Sequence, residues 1–208
     1  MPLPQIDSTT DRRMQILDAA VVCFAKRGFH QASMHDISAE AGISVGLIYR
    51  YFQNKEAVIA AMADRHKQEI HDILQRARQA PSLLESLEIL FTAHCGSDSG
   101  PRITSAFVVD LFAEASRNLR VAELVRDVCD TTREGVTELI ARAPEMKSVS
   151  NDLTPRQVAE LIFAVNDGLL MREVINITAI SDEERRERQL NIVRSLWRIL
   201  FQPNAQSK

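Results

Sequence analysis

The run from Ser44 to Lys55, SVGLIYRYFQNK, holds both tyrosines of the chain, an arginine and a lysine, and no carboxylate. With Leu47, Ile48 and Phe52 turned inward, Ser44, Val45, Gly46, Tyr49, Arg50 and Tyr51 are left facing outward. Phenolic hydroxyls and a guanidinium on a short exposed helix suit phosphate oxygens and base edges. The guanidinium fork matches either one with two parallel hydrogen bonds. Gly46 costs about 1 kcal/mol against alanine inside a helix. Its place near a helix start makes sense where a flat surface must approach the backbone.

Those side chains need short elements held at a steep angle. Ser33 can cap a helix, with Asp36 reaching back to close a capping box. Ile37 and Ala41 point inward, and Gly42 supplies the left-handed residue that ends the helix. Ile43 plugs the turn. Ser44 caps a second helix, Val45–Tyr51, and Asn54 caps a third. Two short helices joined by such a turn make a helix-turn-helix, whose second helix fits a major groove about 12 Å wide. A preceding helix, opening at Asp7 or Ser8 and running to residue 27, braces the pair. Its inward stripe is Ile16, Leu17, Ala20, Val21 and Phe24, and Gly28 ends it.

The ordered pattern Ile16-Leu17-x-Ala19-Ala20, Phe24, Gly28-Phe29, Ser33, Ile37, Ala41-Gly42-Ile43-Ser44-x-Gly46-x-Ile48-Tyr49-x-Tyr51-Phe52 and Lys55-Glu56 resembles the DNA-binding domain of the TetR family of transcriptional repressors. It covers residues 13–56 of the 208. Leu47 departs from it, standing where the family often has a small or hydroxylated residue, which removes one phosphate hydrogen bond. The resemblance implies that Tyr49, Tyr51 and Lys55 contact phosphates, with Ser33 and Ser44 adding hydroxyl or backbone contacts. Val45, Gly46 and Arg50 would face base edges, and Met34 and His35 would reach the groove edge.

Composition narrows the remaining classes. Apolar residues make up 45% of the chain and aromatics only 5%, with seven Gly and seven Pro, as suits an all-helical protein with a sizeable core. The net charge of −3 and pI near 6.0 argue against a protein that coats nucleic acid. A sequence reader instead confines its cations to one face. Residues 1–55 carry Arg12, Arg13, Lys26, Arg27, Arg50 and Lys55 against Asp7, Asp11, Asp18, Asp36 and Glu40, so placement must do what totals do not. Cys23, Cys95 and Cys129 have no metal or pairing spacing and read as reduced thiols in a cytoplasmic protein. The opening MPLPQIDSTT lacks the features of a signal peptide. No apolar run is long enough to span a membrane, so the Asn176-Ile177-Thr178 sequon carries no meaning. Glu-x-x-His, His-Glu-x-x-His, Cys-x-x-Cys and a phosphate loop are all missing, which excludes those enzyme constellations. The expectation is no enzyme, no cofactor and no metal.

The fold expected is all-α with about nine helices: a helix-turn-helix DNA-binding domain at residues 1–54 and an effector-binding and dimerisation domain at 55–208. A long helix over 54–79, roughly 37 Å from end to end, links them and stops at Pro81. Helices follow at 82–94, 102–117, 119–142, 154–176 and 182–201, with starts marked by Ser82-Glu85, Thr154-Pro155-x-Gln157 and Ser181. Helical position and side-chain type nominate Met62, His66, Phe91, His94, Phe107, Asp110, Leu111 and Asn166 as effector-binding. The apolar middle helices favour a hydrophobic small molecule. Val158, Leu161, Ile162, Val165 and Leu169 on one helix, and Leu190, Val193, Leu196, Trp197 and Leu200 on the next, form stripes that two chains can join into a four-helix homodimer seam. The resemblance implies the same seam. The function expected is a ligand-responsive homodimeric repressor on a palindromic operator. The alternatives are an activator of the same fold and a helical interaction protein that binds no DNA.

Overall fold

A computed structural model describes residues 8–93, 103–144, 146, 153–175 and 181–201. Among these lie nine helices: α1 Ser8–Gln31, α2 Met34–Glu40, α3 Val45–Tyr51, α4 Lys55–Arg78, α5 Leu83–Ala93, α6 Ser105–Ala115, α7 Leu119–Arg142, α8 Pro155–Ile175 and α9 Asp182–Phe201. The described residues contain no strand. No helix among them is long and apolar enough to cross a membrane.

The local start signals do what their chemistry requires. Thr154 Oγ1 accepts from the Gln157 amide at 3.3 Å, and Gln157 Oε1 accepts from the Thr154 amide at 2.8 Å. Ser181 and Glu184 close a second such box, and the hydroxyl of Ser82 accepts from the amide of Glu85. Thr104, which no pattern in the sequence flagged, caps α6 through the Phe107 amide.

The helices form two compact units. The first unit comprises residues 1–66 and 98–127, the second residues 67–97 and 128–208. The first therefore holds α1 to α3, the opening of α4, all of α6 and the opening of α7. Its core is built on Ile16, Ala20, Phe24, Ile37, Ile48 and Val58, all essentially inaccessible. Phe107 of α6 lies in the same core, its ring stacked on Phe24 with centroids 5.8 Å apart and planes 4° from parallel.

Two of the expected effector residues are thereby corrected. Phe107 and Met62 are interior side chains of the first unit's core and have no free surface for a ligand. Asp110 is likewise engaged: its Oδ2 accepts the amide hydrogen of Phe29. Leu111 rests partly buried against the same core. His66 is half-buried and has interactions of its own. In the second unit Phe91 is buried in a core with Leu83, Leu87, Ile140, Val158 and Ile162, and Asn166 is half-buried. His94 and Cys95 lie outside the described residues, as do the expected breaks at 95–101 and around 147–152.

The residues expected at a dimer seam differ in how much surface they leave open. Val158, Ile162 and Val193 are fully buried within their own chain, and Trp197 and Leu200 pack against that core. A side chain with no exposed surface in one chain has none to give to a second. Leu161 is different, with 46% of its surface exposed, while Val165, Leu169, Leu190 and Leu196 are half-buried. The largest exposed apolar side chains on these helices are Ile175 at 73% and Ile199 at 75%, and neither was in the expected set.

Candidate nucleic-acid interface

α2 and α3 are short, so their ends decide their geometry. Ser33 sits in extended backbone with φ −109 and caps α2. Its Oγ accepts from the Asp36 amide at 3.1 Å and donates to Asp36 Oδ2 at 2.6 Å, while its amide donates to the same Oδ2 at 2.9 Å. The hydroxyl's one proton is therefore spent inside the cap. These two hydrogen bonds, the hydroxyl's first, hold the Asp36 carboxyl below its ordinary range, and Arg27 lies 3.2 Å from it. At the far end Gly42 takes φ +65, and the Ile43 amide returns to the Ser38 carbonyl at 3.0 Å. Ser44 then caps α3 by accepting from the Leu47 amide at 3.2 Å. Unlike that of Ser33, this hydroxyl keeps its proton for an outside acceptor.

The two faces of α3 separate as the sequence requires. Ile48 is fully buried and Phe52, its C-cap, nearly so. Ser44, Gly46, Tyr49 and Arg50 are exposed, Tyr49 to 51%, and Val45 is half-exposed. A methyl group at Gly46 would meet nothing within 4 Å, so no crowding inside the chain requires glycine there. Tyr51 is half-buried against the first unit's core and both braces the domain and shows its edge. His35 is exposed. Met34 corrects the expectation of a groove contact: it is only 8% exposed and packs inward beneath α2.

Lys55, at the start of α4, is more committed than its sequence position implies. Its Nζ donates to the Phe29 carbonyl at 2.8 Å and the His30 carbonyl at 3.1 Å, and it lies 4.7 Å from the Phe29 ring centre. An ammonium has three donors, so one remains for a phosphate. The carbonyls it takes belong to the turn opened by Gly28, whose φ of 76 and ψ of 157 break α1. Asp110 secures the same turn from α6 through the Phe29 amide.

Two further residues position the motif. Gln15 Nε2 donates to the Ala41 carbonyl at 2.7 Å, fixing the end of α2. The Arg13 guanidinium lies 4.6 Å from the centre of the Phe52 ring. Both contacts join residues far apart in sequence, so no local spacing announces them. Among the described residues no group of three or more His, Cys, Asp or Glu side chains could hold a metal ion.

Comparison with known proteins agrees with this geometry. The family described as bacterial regulatory proteins, tetR family, matches residues 16–62, and the BetI-type transcriptional repressor C-terminal family matches residues 84–199. The HTH-type transcriptional regulator UidR of Escherichia coli is 28% identical over 162 residues, covering 76% of this chain and 79% of that protein. The solved structure of Salmonella enterica GusR shares 26% identity and superposes with a TM-score of 0.72, covering 92% of this chain and 95% of that one. The transcriptional regulator FadR of Bacillus subtilis, solved in complex with stearoyl-CoA, shares the fold with a TM-score of 0.68 at 20% identity, covering 86% and 96%. A helix-turn-helix with an acid-free outer face, matched by one family description and followed by a helical segment that another matches over more than half the chain, admits one reading: the chain belongs to the TetR family of transcriptional regulators.

Proposed function

We propose that this regulator is a homodimeric, ligand-responsive repressor that reads a palindromic operator through α3. The outer face of α3 carries the proposal: Ser44, Gly46, Tyr49 and Arg50 are exposed together, with no carboxylate in the helix to repel phosphate. Tyr49, Tyr51 and the remaining donor of Lys55 bind the backbone and fix the register. Val45, Gly46 and Arg50 face the bases, with His35 at the groove edge. One helix of this length reads only a few base pairs. A two-fold dimer doubles the contact and sets two half-sites about one helical turn of DNA apart, or further.

The second copy covers the apolar side chains that α8 and α9 leave exposed, notably Leu161, Met171, Ile175 and Ile199. Repression is steric and cytoplasmic, acting where the operator is. A hydrophobic effector bound after the reading domain relieves it by favouring an arrangement in which the two α3 helices no longer match their grooves. Its effect is limited by its differential affinity for the two arrangements.

Selection of random duplex DNA on the purified protein tests the reading. It should enrich one inverted repeat, and the Tyr49→Ala variant should lose it. Sedimentation should give a dimer that the double change Ile175→Asp, Ile199→Asp dissociates. Failure to enrich any sequence at low salt refutes the operator reading, and a monomeric wild-type protein refutes the palindrome.

A further inference from the structure

Seven cations lie on or beside the reading domain, and most are already occupied. Lys26 pairs with Glu40 at 3.3 Å, Arg27 with Asp36 at 3.2 Å and Arg65 with Asp18 at 2.7 Å. Lys55 spends two of its donors on backbone carbonyls. Arg12 donates to Gln15 at 2.7 Å. Of these seven, only Arg13 and Arg50 have neither a carboxylate nor a hydrogen-bond acceptor. Arg50 lies on α3 and is already part of the proposed interface. Arg13 comes from α1 and, beyond bracing Phe52, has been given no contact with DNA.

Arg13 is not an idle surface charge. Its guanidinium is held over the ring of Phe52, 4.6 Å from the centroid, well inside the range of cation–π attraction. Phe52 is the C-cap of α3, directly after Tyr51 and three residues before Lys55. The ring offers no oxygen or nitrogen acceptor, so the contact takes up none of the guanidinium's ordinary hydrogen-bonding capacity. The contact thus holds the long side chain at the end of the reading helix and leaves its N–H donors without an acceptor. A planar fork of donors, immobilised and exposed, suits a phosphate bound edge-on through two hydrogen bonds.

We infer that Arg13 is a backbone-phosphate contact of this protein, held by Phe52 at the C-terminal end of α3. Lys26, Arg27 and Arg65 contribute nothing of the kind, because carboxylates neutralise them. The inference rests on the operator reading above and goes beyond it by adding a contact from α1.

Salt dependence separates a phosphate contact from a merely structural one. Each neutralised phosphate contributes about 0.9 to the slope of log K against log salt. With the selected operator, which takes two copies of Arg13 per dimer, Arg13→Gln should lower the magnitude of that slope by about 1.8, and Arg13→Lys, which keeps the charge, should largely restore it. Across a fourfold rise in salt the wild type should lose about 12-fold more affinity than Arg13→Gln. Lys26→Gln, the paired control, should leave the slope unchanged. Thermal melts of the same variants register any loss of the stack to Phe52, but a stability change does not alter the charge count that the slope reads. An unchanged slope in Arg13→Gln, with wild type still selecting its operator, overturns the inference and leaves the operator reading standing. An equal drop in Lys26→Gln also overturns it, because the effect would then be general charge. Wild-type protein that selects no sequence removes the operator reading, and this contact with it.

Discussion

Replacing Asp110 tests whether α6 holds the reading domain together through one hydrogen bond. The Asp110 carboxylate accepts the amide of Phe29, a residue only 2% exposed, across 81 positions of sequence. Asp110→Ala leaves that amide without a partner and shielded from water. An unmatched buried donor costs about 1–3 kcal/mol, and a bond to a charged acceptor belongs in the upper half of that range. A loss of about 2 kcal/mol corresponds to a melting temperature lower by about 4–8 °C in a chain of this size. Asp110→Asn keeps an acceptor oxygen at the same reach and should cost about half as much or less. Urea denaturation gives the free energies, and hydrogen exchange at the Phe29 amide gives the local effect: protected in wild type and Asn, fast in Ala. Gly28→Ala provides a second arm. Gly28 combines φ 76 with ψ 157, a region open essentially to glycine alone, which costs another residue about 1–3 kcal/mol. Its added methyl would also lie 3.2 Å from Asp110 Oδ2. Combining the two alanine changes should therefore cost less than their sum, as neighbours that share a contact do. Equal costs for Asp110→Ala and Asp110→Asn, or additive costs in the pair, would refute this account of the turn.

Lys55→Met keeps an unbranched aliphatic stem but removes the ammonium over the Phe29 ring and its donors to two carbonyls. It should lower stability by about 1 kcal/mol as well as weaken operator binding. Tyr49→Ala, at an exposed position, should weaken binding while stability stays within about 0.5 kcal/mol. Weaker binding in Lys55→Met with no loss of stability would show that the lysine acts only on DNA. Asp36 and Glu184 are both held below the ordinary carboxyl range by the serines they cap, so each contributes above its unfolded value and loses that contribution as pH falls through its lower folded value. The stability gap between wild type and Asp36→Asn, followed by urea midpoints, should therefore close as pH falls through the lowered folded value of Asp36. A gap independent of pH would assign it to the cap's geometry instead of its charge.

The parts legible in sequence were those whose cause lies within four residues. Ser33 with Asp36, Ser44 with Leu47 and Thr154 with Gln157 close rings of fixed size, so spacing alone predicts them. Gly42 was legible for the same reason, because a helix that stops between two caps needs a residue with positive φ. The outward face of α3 followed from its periodicity. What the sequence withheld were choices between neighbours that only a distant element can make. Met34 and His35 are adjacent at the start of α2, and which of them turns inward depends on the core beneath. Phe107 and Asp110 lie on one apolar helix and looked alike as pocket residues. One meets Phe24 and the other the Phe29 amide, and neither partner is local. The seam expected on α8 and α9 mixes buried and exposed residues because both helices have an inner and an outer apolar side. A stripe of Val and Leu does not say which side another chain covers.

The pairing of Lys26, Arg27 and Arg65 with carboxylates has a consequence for how the protein finds its site. Each unneutralised cation strengthens attachment to every stretch of duplex alike, and a bacterial chromosome offers on the order of a million or more wrong stretches. A reader with many free cations would spend most of its time parked on them. By pairing these charges with carboxylates, this domain lowers its grip on arbitrary DNA and leaves a larger share of its binding to the contacts of α3. A small number of molecules can then keep the operator occupied, and a modest loss of affinity on effector binding is enough to empty it.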